Sequence, residues 1–232
     1  MKKIIILNTS PKGTKASSQK LLNELEAKIE EIQIEYKLES FSYASIFKNE
    51  KKSNQLFTAI LESDVLILAF PLYVDSLSAV TQDFVERYNQ FTIERKRENP
   101  QELYTIINCG FPEPEHNTIA FEIIQNFAAE TGFNCQYNLS IGMGSMAGQV
   151  PIKSRPMKNI ERHFDAIIEH LRKPVVSTDF NRKIEYSSPT FGFLNFFSKS
   201  LYTMFGFHGW KQQAKKNKVK HLLYAKPYQK ES

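Results

Sequence analysis

Four hydroxyl-bearing residues, Ser10, Thr14, Ser17 and Ser18, lie close together near the start of the chain with Lys12 among them. Hydroxyl donors beside a cation suit a phosphate group. The apolar residues 4–7 before them read as a buried strand. Leu21, Leu22, Leu25, Ile29 and Ile32 after them recur on one side of a helix. A strand therefore passes through a polar loop directly into a helix N-terminus. Unbonded amides and the positive end of the helix dipole favour an anion there. No Gly-Lys-Ser/Thr closes the loop and no Gly-x-Gly-x-x-Gly is present, which excludes a Walker P-loop and a dinucleotide fingerprint. Taken alone, the loop reads equally as a phosphate site or as an ordinary polar loop with a serine cap.

Other reactive side chains form no such grouping. Cys109 and Cys135 make neither a disulfide framework nor a Cys-x-x-Cys pair, and no metal site is expected. The five histidines are scattered, with His163 and His170 seven apart on one predicted helix. Glu113 and Glu115 read as a solvated acidic pair. No nucleophile stands with a base, so no catalytic residue is assigned.

The elements that must position these residues alternate regularly. A strand is expected over 34–41, a short helix over 54–62, and an unbroken apolar strand over 64–70 that Pro71 ends. A helix over 78–88 follows, then a buried strand over 103–109, a helix over 118–131 and a strand over 134–141. A last helix spans 157–172. Five strands alternating with helices predict an α/β fold with a doubly wound, five-stranded parallel sheet. Ligands in such sheets bind beyond the C-terminal strand ends, at the point where strand order reverses. The loops after the first, third and fourth strands are therefore the candidate site.

The 232 residues suit one medium domain with an extension, divided here into 1–173 and 174–232. The net charge of +5 is uneven. Residues 186–230 hold eight lysines and no acid or arginine, which leaves about −3 for the rest. The pI near 9 thus describes the tail. Ser188-Pro189 opens a predicted helix with Phe193, Phe197, Leu201, Met204 and Phe205 at helical spacing, ended by Gly206. Packing on the body or on a dimer partner is the favoured reading of this helix. An aromatic lid and a peripheral membrane contact through the lysines are the alternatives. No motif points to nucleic acid, and no apolar run is long enough to span a bilayer or to serve as a secretory signal, so the cytoplasm is expected.

Three segments together carry a likeness. Asn8-Thr9-Ser10-Pro11-Lys12 with Ser17-Ser18 resembles the FMN-phosphate loop of flavodoxin-like NAD(P)H-dependent FMN oxidoreductases. Phe70-Pro71-Leu72-Tyr73-Val74-Asp75-Ser76-Leu77-Ser78 looks like the Pro-x-Tyr loop after their third strand. Asn108-Cys109-Gly110-Phe111-Pro112-Glu113 is similar to their loop after the fourth. The family usually has Gly where Thr9 stands and often a Lys near Thr81 or Gln82. The resemblance covers roughly residues 1–173 and implies strand order 2-1-3-4-5 with a helical C-terminal extension. It also implies a phosphate held by Ser10, Lys12, Thr14, Ser17 and Ser18. Pro71, Leu72, Tyr73 and Val74 would line one edge of an isoalloxazine, and Asn108, Gly110 and Phe111 the other. The implied activity passes hydride from NAD(P)H to a small electron acceptor: a quinone, a nitro or azo compound, a flavin or a metal complex. A homodimer is implied. An electron carrier on this fold, or a flavin-free module recruited by its basic tail, are the alternatives.

Overall fold

The computed structural model describes residues 2–31, 36–93, 95, 101–173, 180–190, 208, 211–212 and 214–224. The chain divides into two compact units, Met1–Thr190 and Phe191–Ser232.

Six parallel strands form the sheet of the first unit: β1 (Lys2–Asn8), β2 (Tyr36–Ser42), β3 (Val65–Pro71), β4 (Gln101–Asn108), β5 (Phe133–Ile141) and β6 (Ile184–Ser187). Their order is β2-β1-β3-β4-β5-β6. The five expected strands thus stand in the order 2-1-3-4-5, and the switch point lies where β1 pairs with both β2 and β3. The helices are α1 (Ser17–Glu30), α2 (Glu50–Leu61), α3 (Ala79–Thr92), α4 (Thr118–Thr131), the single turn α5 (Gly144–Ala147) and α6 (Lys158–Arg172).

Burial explains the double winding. In β1, Ile4 and Ile6 point to one face, Ile5 and Leu7 to the other, and all four are buried. The same split divides Val65 and Ile67 from Leu66, Leu68 and Phe70 in β3. One face packs on Leu21, Leu22, Leu25 and Ile29 of α1 and on Ile160, Phe164 and Ile167 of α6. The opposite face packs on α2, α3 and α4 through an aromatic cluster in which Phe57, Phe84, Tyr88 and Phe127 lie 5.6 to 6.2 Å apart, centroid to centroid. A strand apolar on both sides is stable only when both faces are covered.

The sixth strand was not expected. Its four residues, Ile-Glu-Tyr-Ser, have no apolar signature, and it lies within the sequence assigned above to the extension. Polar anchoring holds this edge instead. Asn138 Nδ2 donates to the carbonyls of Asn181 and Lys183 at 2.9 and 3.2 Å, and Gln125 Nε2 donates to that of Arg182 at 3.0 Å. The aromatic helix expected from Pro189 to Gly206 falls outside the described residues beyond Thr190. Among the described residues, no helix is long and apolar enough to cross a membrane.

At the junction of β5 and α6, the Tyr137 hydroxyl lies 2.8 Å from His163 Nδ1, and the His170 ring sits edge-on to Tyr137. Burial pushes the Tyr137 phenol up to about 12 and holds both imidazoles below their ordinary 6.5. Protonation therefore favours the unfolded chain. The contribution to stability is complete above pH 6.5 and is lost as the pH falls below it. Thermal midpoints should fall between pH 7 and pH 5, and His163→Gln should flatten that dependence. An unchanged slope in the variant would assign the acid sensitivity elsewhere.

Candidate active site at the strand ends

The loop between β1 and α1 is built around one buried side chain. Asn8 Nδ2 donates to the Gly13 carbonyl at 2.9 Å and to Gln19 Oε1 at 3.0 Å. Its Oδ1 accepts from the Ser10 amide and the Ser18 hydroxyl, each at 3.0 Å. The loop closes on itself through Gly13 N–H to the Ser10 carbonyl at 2.9 Å. Gly13 has φ +55°, a conformation that glycine adopts at little cost.

This loop delivers α1 with an open N-terminus. Asn49 caps α2 and Ser78 caps α3 by accepting a main-chain amide, whereas Ala16 at the head of α1 has no side chain to offer. The Ala16 carbonyl receives Lys20 N–H, so the amides of Ser17, Ser18 and Gln19 precede the first helical bond. No acid occupies the first turn, Lys12, Thr14 and Lys15 are exposed, and no acid precedes Glu24 in the chain. The loop is set for an anion.

The two flanking loops are tied to this one and to each other. The Thr9 amide donates to the Ala69 carbonyl at 3.1 Å. Thr9 Oγ1 and Thr81 Oγ1 lie 3.0 Å apart, and Thr81 Oγ1 lies 3.0 Å from Ser78 Oγ. Thr9 and the neighbourhood of Thr81 are the two places where the sequence departs from the family pattern. The structure joins them in one buried hydroxyl ladder. Thr9 is not among the residues with positive φ, so this loop does not require glycine there. The Leu72 amide donates to the Asn108 carbonyl at 2.8 Å, joining the loops after β3 and β4.

Beyond Leu72 the chain makes a tight hairpin. Tyr73 and Ser76 exchange both main-chain hydrogen bonds at 3.0 Å. Val74 and Asp75 form the turn at φ +48° and +56°. A β-branched residue at positive φ is strained, and such strain concentrates at functional loops. Val74 is 96% exposed, so nothing packs its side chain into place. Across from it the exposed Phe111 ring rests on His116, centroids 4.5 Å apart, and His116 Nδ1 lies 3.8 Å from Asp75 Oδ1.

A fourth segment, residues 142–148, completes the rim and was not expected there. Met143 N–H donates to the Phe111 carbonyl at 2.6 Å and Gly144 N–H to that of Cys109 at 2.7 Å. A Cβ on Gly148 would stand 2.7 Å from Ser17 Cα, so only glycine lets this segment reach the head of α1. The signal in the sequence was the run of glycines at 142, 144 and 148, which reads only as a strand break without its neighbours.

The structure thus gathers all the expected residues along one edge, with differing roles. Lys12, Thr14, Tyr73, Val74, Gly110 and Phe111 are exposed, and Ser17, Pro71 and Leu72 are half-buried. Ser10, Ser18 and Asn108 are buried. The Ser18 hydroxyl is directed at Asn8, which leaves this residue its amide for a ligand. Asn108 Oδ1 is buried with no hydrogen-bond partner. Burial raises the Cys109 thiol, whose Sγ lies 3.5 Å from the carbonyls of Phe111 and Glu113, so it stays protonated at neutral pH.

The family model for the flavodoxin-like fold matches residues 2–114, which run from β1 to the loop after β4. The sheet order and the helices on both faces show the same flavodoxin-like fold. An NADH:FMN oxidoreductase in its apo form is similar at 16% identity with a TM-score of 0.57, covering 79% of this chain and 95% of its own. An FMN-dependent NADH-azoreductase from Bacillus anthracis, solved with FMN, is similar at 12% identity and a TM-score of 0.55, covering 75% and 100%. An NADPH-quinone reductase from P. pentosaceus is similar at 16% and 0.50, covering 76% and 100%. At such identities the likeness is one of fold. No curated protein matches the chain.

Two substitutions probe the rim. Asn8→Ala should cost on the order of 2–3 kcal/mol in urea denaturation, because it leaves buried donors and an acceptor unmet. Val74→Asn should stabilise by about 1 kcal/mol by relieving left-handed strain. A neutral result for either would contradict the role given to that residue.

Proposed function

We propose that the chain is an FMN-dependent oxidoreductase that takes hydride from NAD(P)H and reduces a small acceptor: a quinone, a nitro or azo compound, another flavin or a metal complex. The observation that carries this reading is the uncapped, acid-free N-terminus of α1, set at the switch point between the loops after β3 and β4. The residues present fit the cofactor. Three helix amides, the hydroxyls of Ser10, Thr14 and Ser17, and the Lys12 ammonium would hold its phosphate. The loop of Pro71, Leu72, Tyr73 and Val74 would support one edge of the ring and Gly110 and Phe111 the other. The unpartnered Asn108 Oδ1 supplies an acceptor for a ligand N–H. Similar folds described as FMN-dependent or FMN-reducing enzymes support the reading.

The bound flavin supplies hydride and electron transfer, so the protein needs no nucleophile of its own. Its residues bind, orient and exclude water. The exposed rings of Tyr73 and Phe111 offer flat apolar surface to an aromatic acceptor or a nicotinamide. Assembly as a homodimer belongs to the same reading.

The test is the absorbance spectrum of the purified chain, reconstituted with FMN and then titrated anaerobically with NADPH and NADH. Flavin bands that bleach support the proposal, while failure to bind FMN would sink it. A phosphate-anchored site should bind FMN at least about a hundredfold more tightly than riboflavin, since several charge-assisted hydrogen bonds are lost with the phosphate. Thr14→Ala should narrow that ratio severalfold. Equal affinity for both flavins would remove the phosphate role of the loop.

A further inference from the structure

The second unit carries chemistry that the flavin reading does not use. Its described backbone is helical at residues 211–212 and 214–216 and then turns sharply. The Val219 amide donates to the Ala214 carbonyl at 2.9 Å and the Lys218 amide to the Lys215 carbonyl at 3.1 Å, with Lys218 at φ +59°. This is a Schellman stop with lysine in the position usually held by glycine. A 3-10 turn, Lys220–Leu222, follows at once.

This short motif exposes both charge and apolar surface. Lys211, Lys215, Lys216, Lys218 and Lys220 are all exposed. Among and just after them Val219 is 41%, Leu222 54% and Tyr224 72% exposed. Residues 186–230 contain no Asp or Glu. Lysines at a helix C-terminus do favour the dipole, which accounts for Lys215 and Lys216. That does not account for Lys218 and Lys220 beyond the helix, nor for three large apolar side chains left in water beside them.

We propose that this motif is a docking surface for an anionic lipid bilayer. The lysine ammoniums meet the headgroup phosphates and carboxylates, while Val219, Leu222 and Tyr224 enter the boundary between headgroup and acyl chain. Flexible lysine stems suit a diffuse anionic surface, since they let the charge stay in the headgroup layer while the methylenes lie on apolar groups. A nucleic acid matches the charge but offers the aliphatic Val219 and Leu222 no partner in its phosphodiester backbone. Arginine, with its bidentate fork for phosphate, does not occur after Arg182. The proposal is independent of the flavin, so either reading can fail alone.

The experiment is co-sedimentation of the full chain with vesicles of phosphatidylcholine alone, or with about a third phosphatidylserine. Binding should require the anionic lipid and should fall steeply as salt is raised toward about 0.5 M. Each lysine near the surface contributes about a fivefold gain in partitioning. The four changes Lys215→Gln, Lys216→Gln, Lys218→Gln and Lys220→Gln together should therefore weaken binding several hundredfold. Leu222→Ser with Tyr224→Ser should weaken it at unchanged charge. Near-ultraviolet circular dichroism of each variant, matched to that of the parent, separates lost binding from lost folding. Binding to anionic vesicles no stronger than to phosphatidylcholine would overturn the proposal. So would full retention by the Leu222/Tyr224 variant together with displacement by a single-stranded RNA oligomer, which would assign the surface to a general polyanion.

Discussion

Burial of β1 on both faces is the constraint from which the rest of this structure follows. Ile4, Ile5, Ile6 and Leu7 are all withdrawn from water, so β1 must have a helix layer on each side and a strand on each edge. Parallel pairing with β2 and β3 satisfies the second need. Helices α1 and α6 on one face, with α2, α3 and α4 on the other, satisfy the first. Every parallel strand then ends at the same edge of the sheet, and the loops at the switch point open between the two helix layers.

What stabilises that edge is polar. Asn8 leaves the apolar run of β1 and supplies four hydrogen bonds that shape the first loop. The hydroxyls of Thr9, Thr81 and Ser78 and the main-chain bond from Leu72 to Asn108 carry the order sideways to the next loops. A preorganised rim of this kind holds donors in place before a ligand arrives, which lowers the ordering cost of binding. The strain at Val74 and the open end of α1 are both costs to the protein alone, and both lie on that rim.

The tail follows different physics. Its charge is opposite in sign to that of the rest of the chain. A single pI near 9 conceals this division.

The class of fold is legible in the sequence, because apolar runs such as residues 65–70, alternating with amphipathic helices, suit a parallel sheet covered on both faces. The sequence also determined which loops face the candidate site, because alternation of strand and helix leaves them no other edge. Expected boundaries moved by a few residues at most strands and helices, as at β2 and α2, since terminal residues answer to neighbours rather than to periodicity. The place of β6 in the sheet comes from long-range bonds, since Asn138 and Gln125 hold a segment with no apolar pattern. The tertiary structure alone turned the Ser18 hydroxyl toward Asn8, paired Thr9 with Thr81, and laid residues 142–148 across the rim. The last two depend on contacts between residues far apart in the chain, and the first on the closed shape of the β1–α1 loop; local pattern carries no record of either.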